Sequence, residues 1–95
     1  MNKLLTIYVQ TYNRSKVVVQ LIDEIVASDL INLVKVVVVD DGSSDDTYEK
    51  LKSRNYGKNI IINGRKENIG IVKGLLEFIP ICQTDFLYIW LMMIC

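Results

Sequence analysis

Three clusters of polar residues carry the chemistry this sequence can offer. Thr11-Tyr12-Asn13-Arg14 sets one aromatic among hydrogen-bonding groups. An aromatic face can stack on a planar base, worth about 1–3 kcal/mol; Tyr12 can also simply pack on a following helix, and this loop alone favours packing. Asp40-Asp41-Gly42-Ser43 places two adjacent carboxylates directly after a valine run. Carboxylates there can accept a base N–H or ribose hydroxyls, and Gly42 permits a tight turn. Turn chemistry and helix capping account for Ser43 to Asp46, but less well for Asp40 and Asp41. The third cluster is Arg65, Lys66, Asn68, Gly70, Lys73 and Gly74. Cations beside a helix start suit phosphate. Its glycines have neither GxGxxG nor Walker A spacing, so a solvated charged loop reads any single residue of it as well.

The elements around these clusters must bring them together. Leu4 to Gln10 is apolar and β-branched, and reads as a strand. Ser15 can cap a helix, and behind it Val17, Val18, Leu21, Ile22, Ile25 and Val26 form one apolar helical face. Val34 to Val39 is broken only by Lys35 and suits a parallel strand covered on both sides. Ser44 or Asp45 can cap a second helix that reaches about Arg54, with Tyr48 and Leu51 inward. Asn59 to Asn63 reads as a third strand, Gly64 to Gly70 as a polar loop, and Ile71 to Ile79 as a helix limited by Pro80. Phe86 to about Trp90 is a fourth strand. The alternation β-α-β-α-β-α-β predicts an α/β fold with a Rossmann-like, open, mostly parallel sheet and right-handed crossovers. In such sheets ligands bind beyond the carboxyl ends of the strands. All three polar clusters fall there, and this convergence is the reason to expect a binding site.

Composition narrows the function classes. The 95 residues make one small domain. Eleven basic and eleven acidic residues cancel, so nothing points to nucleic acid or a charged membrane surface. The absence of His removes the commonest general base and metal ligand. Cys82 and Cys95 lack CxxC spacing, which argues against zinc or redox chemistry and leaves a reduced, cytoplasmic setting as the default. The start of the chain is too short and polar for a signal peptide. The clean apolar run Phe86 to Cys95 spans ten residues, against about 20 for a membrane helix, so no transmembrane segment is expected.

Taken together, the clusters resemble the family 2 glycosyltransferases of the GT-A fold. The resemblance rests on Leu5 to Val9 with Thr11-Tyr12-Asn13-Arg14, on Val36-Val37-Val38-Val39-Asp40-Asp41-Gly42-Ser43-Ser44-Asp45, on Glu67-Asn68-Ile69-Gly70, and on Thr84-Asp85-Phe86-Leu87-Tyr88-Ile89. It runs over the whole chain, which would be the N-terminal, nucleotide-sugar-binding part of a GT-A fold. It implies transfer of a sugar from a nucleoside diphosphate sugar, UDP-type, to the hydroxyl of a glycan or lipid-linked acceptor. Thr11, Tyr12, Asn13, Arg14, Asp40, Asp41 and Lys73 would bind the nucleotide. Tyr12 would lie against the base, Asp41 would accept from it, Asp40 would support the ribose, and Lys73 or Arg65 would face the diphosphate. Membrane association is an expectation for intact relatives only.

The sequence departs from the family at its end. The family's Mn2+- or Mg2+-binding DxD-type motif would fall at Leu91-Met92-Met93, where no carboxylate stands. The catalytic base and acceptor-binding half would come later still. The resemblance therefore implies no catalytic residue and no metal ligand here, and a chain inactive by itself that at best binds donor. A one-base shift offers an explanation. Met-Met-Ile is ATG-ATG-ATN, and after a Leu codon ending in G the preceding frame reads Asp-Asp-Asp. The gene sequence across codons 85 to 95 tests this. The alternative reading is a non-catalytic flavodoxin-like or receiver-like α/β binding module. A receiver needs an Asp at the end of a later strand, where Asn63 and Trp90 are expected.

Overall fold

The computed structural model describes residues 4–82, Thr84 and 86–92, the last three by backbone alone. Asp85, Met93 and Cys95, which enter the readings above, lie outside the described residues. The elements are β1 (Leu5–Thr11), α1 (Ser15–Ala27), β2 (Val34–Asp41), α2 (Thr47–Ser53), β3 (Ile60–Arg65), α3 (Ile71–Phe78) and β4 (Phe86–Met92). The four strands are parallel, in the order β3-β2-β1-β4. The chain steps outward from β1 to β3 and then crosses back to β4. Right-handed crossovers put α1 and α2 on one face of the sheet and α3 on the other.

Strand side chains alternate between the faces, and so does the core. On the first face Val9, Val36, Val38 and Ile60 pack with Val18, Leu21 and Ile22 of α1 and Leu51 of α2. On the second, Tyr8, Val37 and Val39 pack with Phe78 of α3. The Tyr8 and Phe78 rings stack with centroids 4.5 Å apart. The valine run is therefore buried on both sides, as a central parallel strand requires.

The boundaries shift in informative ways. β1 reaches Thr11, β3 reaches Arg65 and β4 reaches Met92, because each is held by a parallel ladder: Thr11 pairs with Asp40 and Met92, and Asp41 pairs with Arg65. A polar side chain does not end a backbone ladder. Arg65 thus sits on a strand rather than in a loop, and the β3 tip holds an arginine where a receiver needs an aspartate. Ser15 is the first residue of α1 and not its cap; Arg14 holds that position without a side-chain bond. α2 ends at Ser53, and Asp45 accepts from both the N–H and the hydroxyl of Thr47. α3 ends at Phe78, and Pro80 sits in a following 3-10 turn, Ile79–Ile81.

Candidate functional site

The tips of β1 and β2 lie side by side, and hydrogen bonds tie the loops that follow them. Asn13 has a left-handed backbone (φ 52°). Its N–H donates to Ser43 Oγ at 2.8 Å, and its side-chain oxygen accepts from the Ser44 N–H at 2.8 Å. Asn13 is therefore a staple between two loops of the site. Gly42 completes the tight turn. Its φ is +76°, and a Cβ there would lie 2.6 Å from the Asn68 nitrogen. Only glycine lets the third loop approach this closely.

Adjacent residues on a strand point to opposite faces, which separates the two aspartates. Asp40, on the α1–α2 face with Thr11, is 2% exposed. It accepts from the Ser43 N–H at 3.3 Å and from the Ser43 hydroxyl. Burial raises its carboxyl pKa above the usual range; the Ser43 bonds oppose this, and Asp45 and Asp41 add to it. Thr11 is fully buried, and its hydroxyl has no hydrogen-bond partner among the described residues. A buried, unsatisfied hydroxyl costs about 1–3 kcal/mol; the Tyr56 hydroxyl is likewise without a partner among the described residues.

Asp41 faces the α3 side and is fully buried. One carboxylate oxygen accepts from the Ile69 N–H at 3.1 Å and the Arg65 guanidinium at 3.4 Å. The other accepts from the Gly70 N–H at 3.0 Å and the Gln10 amide at 3.3 Å. A carboxylate also suits the positive start of α3. Arg65 is shared with Glu77 at 3.4 Å, so it braces Asp41 and faces away from Thr11 and Asp40. Tyr12 and Arg14 are half-buried at the β1 tip, and Lys73 is exposed in the first turn of α3.

The sequence placed Gln10 where the first strand meets the first polar loop but gave it no role. It is completely buried at the end of β1, accepts from the Tyr8 hydroxyl at 2.7 Å, and donates to the Gly70 carbonyl at 3.0 Å as well as to Asp41. Burial pushes the Tyr8 phenol above its ordinary value, with Arg65 opposing, so it remains a donor. A Cβ on Gly74 would collide with the Gln10 amide oxygen, which explains the glycine inside α3. The available signal was a lone amide in an apolar strand, but its partners lie up to 60 residues away. An apolar cavity of about 320 Å3 under α3 shares Tyr8 and Arg65 with this network. Its lining includes Lys35, Asn63, Arg65 and Glu77; Thr11, Tyr12, Asn13, Asp40 and Asp41 gather instead at the tips of β1 and β2, the candidate site.

This four-stranded parallel sheet with helices on both faces has the topology of a GT-A fold. The sequence pattern of glycosyl transferase family 2 matches residues 6–92, and the chain belongs to that family. Among solved structures it is similar to the mannosyltransferase PcManGT from Pyrobaculum calidifontis in complex with GDP-Man and Mn2+. The TM-score is 0.70 at 22% identity, over 87% of this chain. The chain spans 25% of that protein's length. No curated protein sequence matches it significantly.

Among the described residues, the side chains do not fit a divalent metal of the kind the family resemblance implies. Mn2+ and Mg2+ require oxygen ligands. The β4 tip carries Leu91 and Met92, which offer no oxygen ligand. No group of three or more His, Cys, Asp or Glu residues among the described residues could hold a metal ion. Nor is any helix among them long and apolar enough to cross a membrane.

Proposed function

We propose that this chain forms the donor-nucleotide half of a glycosyltransferase domain, and that it grips a nucleoside diphosphate sugar, UDP-type, at the tips of β1 and β2. The observation that carries this reading is the buried, unpartnered Thr11 hydroxyl, at a crevice whose walls Asn13 and Asp41 hold in place. Tyr12 stacks on the base. The Thr11 hydroxyl and Asp40 serve the base and ribose side. Asp41 frames the base, Arg14 and Asn13 close the rim, and Lys73 faces the diphosphate. The reaction proposed for the whole domain is transfer of the sugar to the hydroxyl of a glycan or lipid-linked acceptor. The solved neighbour's complex with GDP-Man and Mn2+ supports a nucleotide-sugar ligand.

Titration with UDP and with GDP, followed by amide NMR shifts and thermal melting, tests the reading. UDP is expected to shift the Thr11–Arg14 and Asp40–Ser44 amides and to raise the melting temperature. At a concentration about 100 times Kd the stabilisation is about 2.7 kcal/mol. A folded chain that responds to neither nucleotide overturns the proposal.

A further inference from the structure

We propose that Gln10 is a positioning residue: through Asp41 it fixes the 66–70 loop and the first turn of α3 against the nucleotide crevice. The inference rests on the nucleotide-binding reading above and adds a device to it. Both amide hydrogens of Gln10 are used, one on the Asp41 carboxylate at 3.3 Å and one on the Gly70 carbonyl at 3.0 Å. Its oxygen is held by the Tyr8 hydroxyl at 2.7 Å. Asp41 in turn holds the Ile69 and Gly70 N–H groups. One buried side chain therefore joins β1, β2 and the start of α3.

The start of α3 has no side-chain cap. Its N-cap is Gly70, which has φ +86° and no side chain to offer. A glycine there loses more freedom on ordering than any other residue, so the two contacts that Gly70 makes with Asp41 and Gln10 decide its position. Gly74 makes room for the device, since a Cβ there collides with the Gln10 amide. Gln10 is buried behind the tip and acts on a ligand only through Asp41 and the loop.

Hydrogen exchange and UDP titration of the 95-residue chain test the proposal with three variants. Gln10→Ala and the volume-keeping Gln10→Met are expected to speed exchange of the Ile69 and Gly70 amides about tenfold. Both are expected to weaken UDP binding about tenfold, with α1 exchange unchanged. The double variant Gln10→Ala/Gly74→Ala refills the vacated space. It is expected to recover the melting temperature that Gln10→Ala loses, but not the UDP affinity. Recovery of both means that Gln10 only fills space, and overturns the proposal, as does unchanged exchange at residues 69 and 70 in the single variants. If the unaltered chain binds neither UDP nor GDP, the nucleotide reading fails by itself, and the exchange data still decide whether Gln10 holds the loop.

Discussion

At the scale of single residues, the site is a set of polar groups whose burial is expensive unless each has a use. Thr11 is the sharpest case, a fully buried strand residue with an unpaired hydroxyl. Replacing it with valine keeps the shape and removes the unsatisfied group. Thr11→Val is expected to leave the melting temperature equal or higher while weakening UDP binding about tenfold; a fall in both places the hydroxyl in the core rather than the site. Asp40 yields a prediction about pH. Its carboxyl titrates above the ordinary value in the folded chain because burial disfavours the charge. Stability from this group is therefore full below the unfolded-state value of about 4 and is lost as pH rises through the folded-state value. Denaturant melts from pH 3.5 upward are expected to show this decline, and Asp40→Asn, which still accepts from Ser43, is expected to flatten it.

At the scale of elements, packing decides what propensity leaves open. α2 has seven residues, far below the length at which a helix persists alone. It is held by Leu51, fully buried against α1 and the first sheet face, and by Asp45 on the Thr47 N–H. Leu51→Ala is expected to cost about 2–5 kcal/mol in urea unfolding, a large share of the stability of so small a domain. The loops of the site show the same dependence. The loop after β1 has its shape because Asn13 reaches Ser44, and the loop before α3 has its shape because Asp41 gathers two of its amides. Each polar loop is ordered by a contact with another part of the chain.

At the scale of the whole molecule, strand order brings the loops of the candidate site together. β1 and β2 are central and parallel, with their carboxyl ends together, and α3 returns over the opposite face to begin beside them. β4 is the outer neighbour of β1, and its tip, at Met92, pairs with Thr11. That is where a divalent ion would meet the diphosphate in the family pattern, and it carries apolar residues. Replacing Mn2+ with EDTA is expected to change UDP affinity less than twofold, measured by calorimetry. A gain of tenfold or more with Mn2+ would mean that oxygen ligands assemble in a way these residue types do not suggest.

Much of this architecture was legible in the residue order. The valine run at 34–39, the amphipathic spacing behind Ser15 and the polar breaks between them dictate alternating strands and helices. A buried parallel strand needs continuous apolar residues and a surface helix needs a periodic face, so these patterns are local. The positions of Thr11, Tyr12, Asp40 and Asp41 at strand ends followed for the same reason. The partnerships were decided only by the tertiary structure. Alternation of side chains sent Asp40 and Asp41 to different faces, Asn13 became a staple between two loops, and Arg65 became a brace on a strand. Gln10 and Gly74 acquired meaning only when sheet and helix met. A hydrogen bond across 60 residues leaves no periodic trace in a chain, because its geometry exists only after the strands have paired.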